Sequence, residues 1–217
     1  IENVISAGVN VELNTSVWSI NKGIRLGILQ DGKTNEVTAS KAILATGASE
    51  NAVSFPGWTL PGVMGAGAAQ TLANLYRVLP GSRILVIGSG NVGLIVAYQM
   101  LQAGAEVVAV VEAANRIGGY AVHASKLRRN GVPIFTKHTI VKAEGRGKVE
   151  SATIAEVDFK WMPIDGTEKE LEVDTICIAA GLSPLAELAW MVGCRFDFIP
   201  KLGGYVPLHD TDMRTTV

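Results

Sequence analysis

The sequence predicts an α/β chain in which parallel strands and helices form a three-layer unit, flanked by an antiparallel meander. Three patterns carry that prediction. An apolar strand over residues 83–87 runs into a glycine-rich bend and then a helix with apolar residues at helical spacing. A second apolar run, residues 106–111, follows that helix, as a strand–helix–strand crossover requires. Residues 1–47 instead alternate apolar and polar positions, the pattern of half-buried antiparallel strands.

Taken in order, Val9, Val11 and Leu13 alternate with polar neighbours, and strand-like runs follow at 17–20 and 24–29. Asp31-Gly32 is a hairpin signal ahead of a further run at 36–39. Residues 42–47, Ala-Ile-Leu-Ala-Thr-Gly, read as a short buried parallel strand. Pro56-Gly57 and Pro61-Gly62 mark a connection. Residues 66–79 read as a helix with Ala69, Leu72, Ala73, Tyr76 and Leu79 on one face, stopped by Pro80-Gly81. The helix over 91–103 carries a stripe of Val92, Ile95, Val96 and Met100, and Gly104 supplies the left-handed residue that ends it. A helix over 122–129 and a strand over 132–136 come next. Further strands are expected at 149–157, 159–162 and 170–173, with Asp165-Gly166 turning between the last two. Residues 174–180 close the unit as a buried strand ending at Gly181.

Composition narrows the classes. At 48% hydrophobic and 18% charged, the chain can form a packed core. A net charge of −1 with no basic stripe lacks the electrostatic footprint of a nucleic-acid binder. No apolar stretch reaches the roughly twenty residues of a membrane helix, and no signal-peptide pattern opens the chain. Cys177 and Cys194 form no CxxC pair and are too few for a disulfide framework. Both fit a reducing, cytoplasmic setting, and Cys177 between Ile176 and Ile178 reads as a core residue. His123, His138 and His209 lack metal-ligand spacing, so no metal site is expected.

Gly88-Ser89-Gly90-Asn91-Val92-Gly93 is a GxGxxG, a weak signal in a chain with 24 glycines. Its context makes it specific: it follows a strand, opens a helix, and stands about twenty residues before an acid, Glu112, at the end of the next strand. Gly88 permits the sharp turn, Gly90 leaves room for a pyrophosphate, and Gly93 lets helix and strand pack closely. The bend is expected to present bare main-chain amides, with the partial positive charge of the helix start, to a diphosphate. Glu112 would accept hydrogen bonds from the adenosine ribose and repel a 2′-phosphate, which favours NAD over NADP. Arg116, four residues on, could instead reach such a phosphate. Two strand ends, residues 43–47 and 178–181, share a run from apolar to small to glycine. Ala45, Thr46, Gly47 and Gly181 are therefore candidates for ligand contact, because ligands of open α/β sheets lie beyond the carboxyl ends of strands.

On these residues the chain resembles the pyridine-nucleotide-dependent flavoproteins, in which a Rossmann-like NAD-binding domain is inserted into an FAD-binding domain. Residues 41–47 resemble that family's ATG segment near the FAD, and Gly181-Leu182-Ser183-Pro184 its GxxP. Residues 210–217 resemble the approach to its later Gly-Asp motif. A narrower resemblance lies in Phe55-Pro56-Gly57-Trp58-Thr59-Leu60-Pro61-Gly62-Val63-Met64 and Ala66-Gly67-Ala68-Ala69-Gln70-Thr71-Leu72. These stretches are similar to the α-type subunits of opine oxidase, hydrogen cyanide synthase, dye-linked proline dehydrogenase and heterotetrameric sarcosine oxidase. The family's first GxGxxG and its Gly-Asp motif are missing, so the chain is expected to be a piece of a longer protein, inactive alone. Met64-Gly65-Ala66-Gly67 stands where a thioredoxin reductase has its CxxC, which excludes dithiol chemistry.

The resemblance implies three parts: residues 1–79 of an FAD-binding domain, an NAD-binding domain over 80–190, and a return segment over 191–217. It implies an NAD-binding portion of a flavin-dependent oxidoreductase of amines or amino acids, with FAD in the intact protein and a catalytic partner subunit. The alternative is a scaffold subunit that holds ADP, ATP or NAD structurally. No side chain reads as a general base or nucleophile, so no catalytic residue is named.

Overall fold

The structure, a computed structural model, describes residues 2–217. Its described residues divide into two compact units, 2–49 with Ser183–Val217, and Glu50–Leu182. In chain order, α1 (Glu2–Ser6) precedes β1 (Thr15–Asn21), β2 (Arg25–Gln30), β3 (Lys33–Thr38) and β4 (Ala48–Glu50). Next come β5 (Val63–Gly65), α2 (Ala66–Asn74), β6 (Arg83–Ile87), α3 (Asn91–Gln102), β7 (Glu106–Glu112), α4 (Ala121–Arg129) and β8 (Ile134–Thr136). Strands β9 (His138–Glu144), β10 (Ser151–Glu156), β11 (Lys169–Glu172) and β12 (Thr175–Ile178) complete the larger unit. The chain then runs through β13 (Leu182–Pro184), α5 (Glu187–Val192), β14 (Phe196–Ile199), a 3-10 turn at Pro200–Leu202, and β15 (Gly204–Pro207).

The unit Glu50–Leu182 has the three layers expected. Its central sheet is parallel, in the order β5-β12-β6-β7-β8. Strand residues alternate between two apolar cores. Ile84, Val86, Val110 and Cys177 pack with Leu94, Val96, Met100 and Leu127 from the helices. On the other face, Leu85, Ile87, Val111, Ile176 and Ile178 pack with Ile140, Ala152 and Ile154 of the antiparallel sheet β11-β10-β9. Burial on both faces explains why β6 and β12 read as continuous apolar runs. From β6 the chain winds outward through β7 to β8, then returns to place β12 on the other side of β6. The topological switch point therefore lies between β6 and β12, and open α/β sheets bind ligands there.

Several local expectations hold. Gly104 has φ 98°, and the N–H groups of Gly104 and Ala105 reach back to Leu101 and Met100 to close α3. In the smaller unit, β1, β2 and β3 form the expected antiparallel meander. Asp31 and Gly32, at φ 48° and 73°, make its turn.

Others are corrected. Residues 42–47 form no strand and are exposed, Ile43 at 94%; among the described residues no strand pairs with them, and a parallel strand needs such neighbours. Val9, Val11 and Leu13 lie outside any strand. Helix α2 stops at Asn74 rather than residue 79, because Arg77 is left-handed at φ 57° and the Val78 N–H returns to Leu72 O. Tyr76 and Leu79 are consequently exposed. The buried face of α3 is Gly93, Leu94, Val96, Ala97 and Met100, while Val92 and Ile95 are 40% and 39% exposed. Residues 159–162 form a turn, not a strand.

Candidate functional site

The carboxyl ends of β6, β7 and β12 converge around the glycine bend, all within the unit Glu50–Leu182. Gly88 follows β6 at φ 107°, a conformation that L side chains rarely adopt. A methyl on Gly88 would sit 2.3 Å from the backbone oxygen of Ala179, just beyond β12. One on Gly93 would lie 2.1 Å from Gly88 O and 3.1 Å from Ala179 Cβ. Both glycines are thus demanded by the close approach of α3 to β6 and β12. Gly90 differs. Its φ of −64° and ψ of 172° suit any residue, and among the described residues beyond its two chain neighbours a methyl there would meet nothing within 4 Å.

Glu112, at the end of β7, turns its carboxylate into the bend. Its Oε2 accepts from the N–H of Ser89 at 2.9 Å and from Ser89 Oγ at 2.6 Å, and Oε1 accepts from Ala114 N–H at 2.9 Å. A carboxylate has about four acceptor positions, so three contacts leave room for a further donor such as a ribose hydroxyl. Ser89 is fully buried, and its Oγ also accepts from Gly118 N–H at 3.1 Å.

This network corrects one expectation. The N–H groups of Gly88 and Ser89 are not bare: they donate to Val111 O at 2.7 Å and to Glu112. The amides left for an anion are those of the first turn of α3, residues 91–93, which helix geometry leaves without intrahelical partners. That turn includes Val92, whose side chain is partly exposed.

Two residues not singled out in the sequence belong here. Gly118 and Gly119 press the loop after β7 onto the bend. Gly119 N–H donates to Ser89 O at 2.8 Å, and a methyl on Gly119 would stand 2.9 Å from Asn91 N. Asn91 Oδ1 accepts from Tyr120 N–H at 2.8 Å. Their signal in the sequence is a pair of adjacent glycines shortly after Glu112. Arg116, in the same loop, is exposed.

Gly181, at φ 112°, ends the segment after β12, and its carbonyl accepts from Asn51 N–H at 3.0 Å. Nearby, Glu50 Oε1 accepts from Gly67 N–H at 2.6 Å at the start of α2. Burial, helped by Glu50, pushes the Cys177 thiol up to about 12, so it stays protonated and inert at neutral pH. In the smaller unit, Ala45, Thr46 and Gly47 are exposed. Thr46 Oγ1 donates to Leu185 O at 2.5 Å, and Leu185 N–H donates to Gly47 O at 3.0 Å. No group of His, Cys, Asp and Glu among the described residues could hold a metal ion. No helix among them is long and apolar enough to cross a membrane.

A family model described as pyridine nucleotide-disulphide oxidoreductase matches residues 2–217. The HcnB subunit of hydrogen cyanide synthase from Pseudomonas aeruginosa is 31% identical over 208 residues, covering 88% of this chain and 44% of that protein. An opine oxidase subunit from Agrobacterium tumefaciens is 25% identical over 236 residues, covering 97% of this chain and 45% of that protein. The chain thus spans about half the length of these relatives. Thioredoxin reductase of T. acidophilum superposes with a TM-score of 0.78 at 20% identity, over 100% of this chain and 66% of that structure.

Proposed function

Because the chain belongs to the pyridine nucleotide-disulphide oxidoreductase family, we propose that it is the NAD-binding portion of a flavin-dependent oxidoreductase of amines or amino acids. The observation that carries this reading is the glycine bend at the switch point. Two of its glycines are required by packing. The third, Gly90, faces open space: among the described residues beyond its two chain neighbours, no atom lies within 4 Å of where a methyl on it would stand. A diphosphate over that space would meet the first-turn amides of α3 and the positive end of its dipole. Glu112, held beside the bend by Ser89, would accept hydrogen bonds from the adenosine ribose. A ribose 2′-phosphate would meet that negative charge, which favours NAD; Arg116 in the following loop is the group that would favour NADP.

Ala45, Thr46, Gly47 and Gly181 are proposed to contact cofactor in the intact protein, with Ala45–Gly47 toward FAD. Bound together, flavin and nicotinamide would supply hydride chemistry, and this chain's part is to bind and orient the dinucleotide. Its similarity to proteins named as subunits of a synthase and an oxidase supports a heteromeric assembly with a catalytic partner. Stopped-flow mixing of the intact protein with NADH tests the reading. Bleaching of the flavin absorbance is expected. Tight NADH binding with no bleaching would leave the site as a structural nucleotide holder within a scaffold protein.

A further inference from the structure

The smaller unit carries an aromatic cluster of its own. Three large side chains stand in solvent there: Trp190 of α5 is 52% exposed, Phe198 of β14 56% and Tyr205 of β15 58%. The hairpin register brings them together. Phe198 pairs directly with Tyr205 across β14 and β15, and Phe196, two residues before Phe198, shares its face of the strand. Phe196 stacks on Trp190 with ring centroids 3.7 Å apart and planes 4° from parallel. That stack fastens α5 to the hairpin. Gly193, at φ 90°, lets the chain reverse between them, and Cys194 N–H returns to Ala189 O at 3.0 Å.

The exposed rings enclose space instead of filling it. Tyr205 lies at 64° to Trp190 with centroids 6.1 Å apart, and Phe198 at 67° to Tyr205 with centroids 5.2 Å apart. Beside them is a cavity of about 360 Å³, whose walls include these three rings, Glu187 and the bare backbone of Gly203 and Gly204. That volume falls within the range of about 300–1,000 Å³ typical of small-molecule sites. Gly203 O accepts from Ser183 Oγ at 3.2 Å, which ties the tip of the hairpin to β13. Among the described residues that line the cavity, Glu187 alone carries a charge, and it is negative. The face of an aromatic ring is negative as well, through its quadrupole. Both features repel a phosphate and attract a cation. A metal ion is not served, since no group of His, Cys, Asp and Glu among the described residues could hold one. An alkylated ammonium ion suits the walls on both counts: its alkyl groups meet the rings, and its charge meets the ring faces and Glu187.

We propose that this cavity binds a small organic ammonium ion, with Trp190, Tyr205 and Phe198 as an aromatic cage and Glu187 as the counter-charge. It selects a cation where the glycine bend is proposed to hold an anion, so either site can stand without the other.

The test is calorimetric titration of the intact protein with three probes: tetramethylammonium, choline, and 3,3-dimethylbutan-1-ol, the uncharged isostere of choline. Both cations are expected to bind, and choline at least about tenfold more tightly than the alcohol, because the rings and Glu187 all act on its charge. Glu187 is exposed, so Glu187→Gln tests the counter-charge without disturbing the core; it should weaken choline about threefold and leave the alcohol as it was. Phe198→Leu keeps an apolar wall but removes a ring, and should weaken choline by about the same factor. Saturation transfer from aromatic protons of the wild type to the choline N-methyl groups is expected too, a readout that does not depend on any variant folding. Equal binding of choline and the alcohol would overturn the proposal in favour of an uncharged apolar groove. Choline binding that neither substitution alters would place the cation elsewhere and overturn it as well. Failure of both cations to bind the intact protein would overturn it outright.

Discussion

Gly88, Gly90 and Gly93 occupy one hexapeptide, yet the space around each differs. Gly93 has no room for even one carbon, because the backbone oxygen of Gly88 stands 2.1 Å from where it would go. Gly93→Ala is therefore expected to destabilise the protein by about 1–3 kcal/mol, the cost typical of an overpacked interior. Urea denaturation measures it, and an unchanged midpoint would mean that α3 can move away from β6 freely. These packing roles of Gly88 and Gly93 are legible in the sequence, since a tight strand-to-helix turn dictates them. The bonds from Ser89 to Glu112 are not, because they join residues that only the completed fold brings together. The same is true of Gly118 and Gly119, whose need for a bare backbone depends on what lies beneath them.

At the scale of elements, the strand–helix–strand unit β6-α3-β7 is readable because its signals are local: an apolar run, a glycine bend, helical spacing and Gly104 as the stop. Strand β9 escapes such a reading. Its sequence His-Thr-Ile-Val-Lys-Ala-Glu mixes polar and apolar residues, and it becomes a strand through pairing with β10. Residues 42–47 mislead in the opposite sense, since an apolar run becomes a buried strand only where neighbours cover it. One side chain ties the start of β6 to β12: the Asp174 carboxylate accepts from Ser82 N–H at 2.9 Å and from Arg83 N–H at 3.1 Å. Asp174→Ala should cost about 1–3 kcal/mol by leaving those amides without their charged acceptor. Thermal unfolding checks the direction, and an unshifted midpoint would show that solvent replaces the carboxylate without loss.

Across the whole molecule, packing and ligand geometry meet at the switch point. The parallel sheet is covered on both faces, by helices on one side and by the antiparallel sheet on the other, and a nucleotide is expected at its carboxyl edge. Along that edge the glycine bend and Glu112 stand side by side, where the proposed dinucleotide would lie. Fold and ligand site are thus expected to separate at a single carbon. Calorimetric titration of NADH into wild type and Gly90→Ala is the most direct measurement of this. The expected result is an unchanged unfolding midpoint with affinity reduced at least about tenfold, as the methyl enters the diphosphate's space. Equal affinity in the two proteins would contradict a diphosphate seated over Gly90.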